Sequence, residues 1–364
     1  MRRGILLAAL VSAACAPTLP RPYLEARAAA ERAYTSGRYD EAAEHWKEAA
    51  RQAKRPRNRD EALYRVGAAL DRAGRYPQAE AAYDRLLALA PHSGRAARAA
   101  YDRAVIEVEH GDSAKGYRML DKVMRDYPRS GPAVSALHRT LLHDDQQGGP
   151  TKALAELDRL IPELDRTELS ERLHFAYAEY LDKAGRTRAA RDRYLYTAKR
   201  FPYPYGALWD DALYRASQDD EKLGDYRAAI AVLRRMLSHQ EPSSMQGSYE
   251  RPRFDQAQML IATLYRDKLH DLAAARRAFH KVWTDHPTSL LKDDALWDEA
   301  LLARKAGDGD AACSVLSTLT HGMPDSRYVP CAGELCPTAP PAPKGRSCHD
   351  YIKRQAEAAL ATAE

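Results

Sequence analysis

The apolar residues of this chain recur at helical spacing, and the pattern is interrupted at regular intervals. In DEALYRVGAALDRAGRYPQAEAAYDRLLALAP, residues 60–91, apolar positions lie three or four residues apart on both sides of Gly74. That spacing predicts two amphipathic helices, since residues three and four apart share one helix face. The stretch DEKLGDYRAAIAVL, residues 220–233, repeats the glycine, tyrosine and alanine at the same spacing. The interruption therefore belongs to a repeated structure.

Aligning the chain with itself gives eight repeats, which start near residues 23, 60, 97, 134, 171, 210, 256 and 293. Position 15 of each repeat is glycine except in the seventh, which has His270. Position 20 is always small and position 24 always large. The residues at position 20 are Ala42, Ala79, Gly116, Ala153, Ala190, Ala229, Ala275 and Ala312; those at position 24 are Trp46, Tyr83, Leu120, Leu157, Tyr194, Leu233, Phe279 and Leu316. Five repeats have proline at position 32.

These positions have a common physical explanation. A glycine between two short helices favours a reversal of direction, because glycine adopts positive φ at low cost. The small residue allows the two helices to approach closely, and the large residue fills the space one turn later. Since neither helix can bury its apolar stripe alone, neighbouring repeats are expected to stack. The prediction is an all-α chain of helical hairpins.

The pattern over residues 23 to about 325 resembles the tetratricopeptide repeat, a helical hairpin of about 34 residues. Leu63, Gly67, Gly74, Tyr76 and Ala79 occupy family positions in the second repeat, as do Tyr83 and Pro91. The resemblance implies a right-handed superhelical solenoid of about eight hairpins over residues 23–328. The chain departs from the family at position 8, where Leu141 and Thr263 are not small. The joins between repeats also resemble in style those of the lipoprotein of the outer-membrane β-barrel assembly machinery, a shorter protein.

The N-terminal segment reads as an export signal. MRRGILLAALVSAAC has two arginines, a short apolar run and small residues before Cys15. Residues 12–15 resemble a bacterial lipobox, which implies that residues 1–14 are removed and that Cys15 is acylated. Residues 15–22 are rich in proline and predict a stiff tether. Ala16 favours the outer membrane, facing the periplasm. The alternative is an ordinary secretory peptide cut near Ala14.

Charge and motifs narrow the function classes. Without residues 1–14 the chain has 54 Lys and Arg against 51 Asp and Glu, a formal charge of +3. This balance does not favour nucleic acid as a partner. The sequence contains no nucleophile elbow, no helical pair of metal-binding histidines and no phosphate-binding glycine loop. We therefore expect no catalysis, no metal, no cofactor and no small-molecule substrate.

The C-terminal end combines cysteines with a last amphipathic segment. Residues 329–348 predict a Cys/Pro-rich loop, and residues 349–364 a helix that caps the array. Cys313, Cys331, Cys336 and Cys348 are an even number in an exported chain, which predicts two disulfides. Three pairings are possible. One of them, Cys331–Cys336 with Cys313–Cys348, would fasten the last helix to the eighth repeat.

An aromatic column predicts a binding groove. The first helices of tetratricopeptide repeats line a concave groove, with position 5 pointing inward. Flat side chains at that position suit an extended peptide or an inserted helix. The predicted groove residues are Tyr64, Tyr101, His138, Phe175, Tyr214 and Trp297. The alternative is that aromatic residues at this position serve local packing.

Two other stretches suggest contact surfaces. The run RQAKRPRNRD contains Arg51, Lys54, Arg55, Arg57 and Arg59 and predicts a basic loop between repeats. Such a loop could contact anionic lipid, each cation contributing about 1 kcal/mol, or could simply be solvated. The widened spacing at residues 238–254 predicts a surface loop, or alternatively a hinge or partner-binding excursion.

The sequence thus predicts a non-catalytic scaffold of the bacterial cell envelope. It would bind a peptide or helix of another envelope protein and would be attached to the membrane through its lipid, in outer-membrane protein assembly or another envelope machine. The alternative is an accessory or regulatory subunit of a cell-wall enzyme that contacts peptidoglycan.

Overall fold

The computed structural model describes residues 19–239 and 253–361. Throughout these residues the regular structure is helical, and no strand occurs in them. The contacts divide the chain into a first unit, residues 1–147 with 164–169, and a second unit, residues 148–163 with 170–364. The predicted signal segment, Cys15 and most of the 238–254 insertion lie outside the described residues.

The first unit contains six complete helices and part of a seventh. Their bounds are α1 Arg21–Thr35, α2 Tyr39–Gln52, α3 Pro56–Arg72, α4 Tyr76–Leu89, α5 Ala96–His110 and α6 Ser113–Asp126. The seventh, α7 Gly131–Leu164, continues into the second unit, and its backbone leaves helical geometry at Gly148 and Gly149. Within the unit α1 packs with α2, α3 with α4 and α5 with α6.

The second unit continues the same arrangement. Its helices are α8 Ser170–Lys183, α9 Thr187–Arg200, α10 Trp209–Lys222, α11 Tyr226–Leu237, α12 Phe254–Thr263, α13 Leu272–Asp285, α14 Lys292–Lys305, α15 Gly309–Gly322, α16 Ala332–Leu335 and α17 Asp350–Ala361. A π-helical turn, Leu264–Lys268, follows α12. Each helix from α8 to α15 packs against the next one, so hairpins stack in sequence order. The fold is therefore an all-α array of hairpins of the tetratricopeptide kind.

The small and large positions of the repeat form the interior. The position 20 alanines are fully buried, and each position 24 side chain is at most 4% exposed. In the third repeat, a Cβ on Gly116 would lie 2.6 Å from the backbone nitrogen of Val108. This distance shows how closely α5 and α6 approach. Burial of each large side chain contributes about 1.5–3 kcal/mol, which is available only when both helices of a hairpin are present.

The turns inside the hairpins mostly follow the glycine prediction. Gly74 has φ +70°, and the amide of Arg75 donates to the carbonyl of Leu70 at 2.8 Å, the bond expected of a Schellman cap. Positive φ also occurs at Gly37, Gly185, Gly224 and Gly307, and at His270 with φ +53°. The fourth repeat differs, because Gly149 rather than Gly148 has positive φ. Gly111 has φ −129°, and there Asp112 caps the next helix.

Two disulfides fasten the C-terminal end. Cys313 pairs with Cys336, and Cys331 pairs with Cys348. The number of bridges agrees with the prediction. The sequence left three pairings open, and the one in the structure is not Cys331–Cys336 with Cys313–Cys348. The segment 329–348 is also more ordered than a loop, since it contains a 3₁₀ turn, Val329–Cys331, and α16. Burial of Cys331, Leu335 and Cys336 against the last hairpin explains this difference.

The last helix covers the end of the array. Ile352 and Ala356 of α17 are fully buried in a cluster with Leu296 and Trp297 of α14. The indole Nε1 of Trp297 donates to Oε1 of Gln355 at 3.3 Å. The apolar face that a following hairpin would have buried is thus closed by α17.

Candidate functional site

The aromatic column at position 5 does not form a uniform exposed stripe. Its members lie on the first helices of successive hairpins, with Tyr64 on α3 and Trp297 on α14. Tyr64 is only 9% exposed and Trp297 only 1%. These two side chains therefore have little free surface for the ligand contact that the sequence predicts. The alternative, that the aromatic ring serves local packing, accounts for both positions.

Tyr64 is held by residues of the next repeat. Its hydroxyl donates to Oδ2 of Asp102 at 2.9 Å, and the guanidinium carbon of Arg95 lies 5.2 Å from its ring centroid. Burial, reinforced by the adjacent Asp102 carboxylate, raises the pKa of Tyr64 to about 12. Burial also raises the pKa of Asp102, although Arg98 and Tyr64 oppose this effect. The pair joins α3 to α5.

Trp297 is held by the segment that follows the last hairpin. Its ring stacks on Tyr328 with 5.0 Å between centroids and 15° between planes. The hydroxyl of Tyr328 donates to Oδ1 of Asp294 at 2.6 Å. The sequence contained a signal for this contact, since Tyr328 follows the two helices of the last hairpin and leads into the segment that covers its apolar face.

The remaining members of the column keep free surface. In the first unit His138 is exposed and Tyr101 is partly buried. In the second unit Phe175 of α8 and Tyr214 of α10 are partly buried, as is Leu260 of α12 at the same repeat position. The repeat thus places three large apolar side chains on three successive first helices of the second unit. We call Phe175, Tyr214 and Leu260 the second-unit face.

Neighbouring side chains fix the two aromatic rings of this face. Phe175 makes an edge contact with the ring of Tyr194, with 5.3 Å between centroids. The guanidinium carbon of Arg253 lies 5.3 Å from the ring centroid of Tyr214, a cation–π distance. Burial raises the pKa of Tyr214, so its hydroxyl is neutral at physiological pH. The face therefore presents ordered rings.

Ion pairs connect the first helices of successive hairpins. Nζ of Lys222 lies 2.7 Å from Asp182, and Nε of Arg253 lies 2.8 Å from Asp211. These pairs join residues about one repeat apart, so the pattern within a single repeat does not predict them. The second pair lies beside the second-unit face, because Arg253 also contacts the ring of Tyr214. The sequence signal was the opposite charge of residues spaced by one repeat.

The basic run at residues 51–60 is divided by the start of α3. Pro56 occupies the first helical turn, a favoured position for proline, so Arg57 and Arg59 lie on a helix rather than in the predicted loop. Helix α3 separates the cations onto two faces. Arg51 and Arg59 border a groove of about 830 Å³, while Arg55 and Arg57 border a pocket of about 360 Å³.

The cations of the run also differ in pairing. Arg51 forms an ion pair with Glu48, and Nη2 of Arg59 lies 3.2 Å from Oδ1 of Asp60. Lys54 is exposed between α2 and α3. The five cations therefore do not form one continuous patch, and a single flat contact of all five with a lipid surface does not fit this arrangement.

Metal binding and membrane crossing find no support in the part of the chain that the structure describes. Residues 19–239 and 253–361 contain no cluster of three His, Cys, Asp or Glu side chains that could hold a metal ion. No helix in these ranges has both the length and the apolar character needed to cross a bilayer.

Comparison with known families identifies one repeat directly. The sequence profile described as tetratricopeptide repeat matches residues 60–93, which lie in the second predicted repeat. This match includes Tyr64, Gly67 and Gly74. Tetratricopeptide repeats generally serve as protein–protein interaction scaffolds, and they bind peptides or proteins rather than catalyse reactions. The comparison with curated proteins gives no match.

Several solved structures are similar to this chain at low sequence identity. A tetratricopeptide repeat protein from Parabacteroides merdae is 15% identical, with 77% of this chain and 99% of that chain covered and a TM-score of 0.34. PilF of Pseudomonas aeruginosa is 17% identical, with 63% and 93% covered and a TM-score of 0.37. A yeast tetratricopeptide domain in a complex with pHSP90 is 13% identical, with 87% and 98% covered and a TM-score of 0.28. None of them assigns a function to this chain.

Proposed function

We propose that this chain is a non-catalytic scaffold that binds a partner protein against the second-unit face. The observation that carries the proposal is the row of partly buried side chains Phe175, Tyr214 and Leu260 on three successive first helices. Rigid aromatic side chains give a large contact area and lose little rotamer entropy on binding. A row of this kind suits an extended segment or an amphipathic helix of the partner.

The polar surroundings of the face fit this role. The pair Arg253–Asp211 lies beside the ring of Tyr214 and supplies charged groups at the border. Protein interfaces commonly combine an apolar centre with a polar rim. We propose that the border sets the register of the bound segment, whereas the rings supply most of the affinity.

We further propose that the scaffold acts in the bacterial cell envelope, attached to the outer membrane through acylated Cys15 and facing the periplasm. The order of charged, apolar and small residues in positions 1–15 supports export. The pairing of Cys313 with Cys336 and of Cys331 with Cys348 is consistent with an oxidising compartment. The partner is then another envelope protein.

A crosslinking experiment tests the binding face. A photoreactive amino acid replaces Leu260 in the full chain, and crosslinked products are compared in cells that carry Phe175→Ala with Tyr214→Ala. We expect one major protein adduct, and we expect the double variant to lose most of it. Tyr205→Ala is the matched control, since Tyr205 is 90% exposed and lies outside the face. Equal adduct yield in the double variant and the control contradicts the proposed face.

Two measurements test the envelope assignment. Cys15→Ser should abolish incorporation of labelled fatty acid and move the chain from the membrane fraction to the soluble periplasm. Retention of the label by this variant contradicts acylation at Cys15. Sedimentation of the purified chain with protein-free peptidoglycan, combined with no protein adduct at the face, would favour the accessory cell-wall subunit instead.

A further inference from the structure

The pocket beside α1, α3 and the start of α5 is unusually basic. It has a volume of about 360 Å³ and is lined by ten residues, of which five are arginine and two are glutamate. Arg27 comes from α1, Arg57 and Arg65 come from α3, and Arg95 immediately precedes α5. The guanidinium groups therefore approach the same cavity from three separate elements.

The two glutamates are already neutralised by arginines of the pocket. Nε of Arg27 lies 2.8 Å from Oε1 of Glu31, and Nε of Arg65 lies 2.9 Å from Oε1 of Glu61. Arg95 also donates a hydrogen bond to Glu61. Burial acts to raise the pKa of Glu61, but the hydrogen bonds from Arg95 and Arg65 outweigh it and lower this pKa. Both carboxylates are thus paired with arginines, and the five arginines that line the pocket outnumber the two glutamates.

Two donors of the pocket have no partner. Arg57 is exposed and makes no hydrogen bond or ion pair with another residue of the described chain. The side-chain nitrogen of Asn58 is buried, and it too has no hydrogen-bond partner among the described residues. A buried donor without an acceptor costs about 1–3 kcal/mol, so an acceptor that enters this pocket from outside would relieve that cost.

A second recess extends the pocket toward α5. It has a volume of about 460 Å³, shares Arg57, Glu61 and Arg95 with the first pocket, and is bordered by Ser93 and Gly94. The border lies directly before α5, and the N-terminus of a helix carries partial positive charge. The two recesses together leave room for a group larger than a single ion.

We propose that this cavity, which we name the α1–α3–α5 pocket, binds the phosphate group of a phosphomonoester. Guanidinium groups from three directions suit a tetrahedral dianion, whereas a planar carboxylate is satisfied by one bidentate arginine. Arg57 and Asn58 are the unpaired donors that the phosphate oxygens would accept from. Two sources carry this chemistry: a soluble phosphate ester, or the headgroup of a lipid with a terminal phosphate. The inference does not depend on the second-unit face.

The first experiment measures soluble binding by isothermal titration calorimetry with glycerol phosphate, and with glycerol as the uncharged reference. The full chain carries Cys15→Ser so that no acyl group is present. We expect saturable binding of glycerol phosphate and none of glycerol. Arg57→Gln should weaken binding about tenfold, the effect of losing about one charge-assisted hydrogen bond. Arg51→Gln, in the same basic run but at the other groove, should leave it unchanged.

The second experiment separates the two sources with vesicles. Two kinds of vesicle are compared, each with phosphatidylcholine and an anionic lipid at roughly 4:1. The anionic lipid is phosphatidic acid, which has a terminal phosphate, in one kind and phosphatidylglycerol, which has a phosphodiester, in the other. Preference for phosphatidic acid, competed by glycerol phosphate and lost in Arg57→Gln, identifies a lipid headgroup. Soluble binding without vesicle binding identifies a soluble ester.

Three results would overturn the proposal. The first is absence of saturable binding to both glycerol phosphate and phosphatidic acid vesicles. The second is an equal loss of binding in Arg51→Gln and Arg57→Gln, which would indicate general electrostatic attraction. The third is equal binding to both vesicle types with no competition by glycerol phosphate. Asn58→Ala gives a second check, because it removes the buried donor without a change in charge and should also weaken binding.

Discussion

The ring of Tyr83 lies directly against the backbone of Gly67, so that a Cβ on Gly67 would come within 2.4 Å of Cε1 of Tyr83. Gly67 lies on α3 and Tyr83 on α4, the two helices of one hairpin. Tyr83 is fully buried. The glycine at position 8 of this repeat is therefore required by a particular ring, and the contact fixes how closely the two helices pack.

Substitution of Gly67 by alanine should destabilise the first unit. The added methyl group collides with the middle of a ring that cannot move into solvent, and overpacking of this kind costs about 1–3 kcal/mol. The higher helix propensity of alanine offsets about 1 kcal/mol of that cost. Urea unfolding should give a lower midpoint for Gly67→Ala. Gly94→Ala is the control, since no atom lies within 4 Å of the position that its methyl group would take. An unchanged midpoint for Gly67→Ala would contradict the tight contact.

Removal of the Tyr83 hydroxyl should stabilise the protein or leave its stability unchanged. This oxygen is buried and has no hydrogen-bond partner among the described residues. Burial raises the pKa of Tyr83, which keeps the group neutral. Tyr83→Phe keeps the ring and removes a desolvated polar group whose burial costs about 1 kcal/mol or more. Thermal unfolding checks this; a fall in the midpoint would show that the hydroxyl has a partner.

Replacement of His270 by glycine should stabilise the protein. It has φ +53° at a position where most other repeats have glycine with positive φ. A left-handed conformation costs a residue other than glycine about 1–2 kcal/mol, part of which is offset by the greater backbone entropy of glycine. His270→Gly should therefore raise the free energy of unfolding by several tenths of a kcal/mol. The reciprocal variant Gly307→Ala, at φ +76°, should lower it. Changes of the same sign in both variants would be inconsistent with this account.

Asp298 should make stability depend on pH. Burial raises its pKa from the usual 3.8, although Nη1 of Arg266 donates to it at 2.7 Å and acts in the opposite direction. The folded state then keeps a proton that the unfolded state has lost. The contribution of this carboxyl to stability is present below pH 3.8 and declines as the pH rises through the folded-state pKa.

Asp298→Asn removes this titration. The difference in unfolding free energy between the native chain and the variant should therefore fall as the pH rises from about 4 and then become constant. Asp310→Asn, at an exposed position, is the matched control and should give a flat difference. A difference that grows with pH would mean that the pKa is lowered rather than raised.

The disulfide pairing can be read by mass spectrometry. Proteolysis without reduction should yield peptides joined through Cys313–Cys336 and Cys331–Cys348, which close segments of 23 and 17 residues. Loop closure of this size is worth about 3 kcal/mol per bridge in the chain-entropy account. Reduction should therefore loosen α17 before the rest of the second unit, as seen by hydrogen exchange. Recovery of a Cys331–Cys336 peptide would contradict the pairing.

The sequence predicted the interior better than the surface. Ala79 and Tyr83 were recognisable because close helix approach restricts what each position can hold, and this restriction recurs in every repeat. The burial of Tyr64 could not be predicted from the repeat, because it depends on Asp102, 38 residues further along the chain. Trp297 is buried by Tyr328 and by the last helix, which follow the repeats. A column in a repeat alignment contains no information about such neighbours.

The basic run shows a different limit. The positive charges of this run were apparent from the sequence. The side of the helix on which each arginine lies, however, depends on where α3 begins. Pro56 was the available signal, because proline at the first turn of a helix places Arg57 and Arg59 on different sides of it. The pocket that contains Arg57 also needs Arg27, which lies on α1, and Arg95, which directly precedes α5.

The closed C-terminal end has a consequence for self-association. Leu296 and Ala300 are fully buried here. Without α17 they would lie on an exposed apolar face that could pack against a hairpin of another molecule. Molecules with such a face are prone to join head to tail into open filaments. The bridges Cys331–Cys348 and Cys313–Cys336 hold α17 over this apolar face. We therefore expect reduction of the two disulfides to favour end-to-end association of the chain.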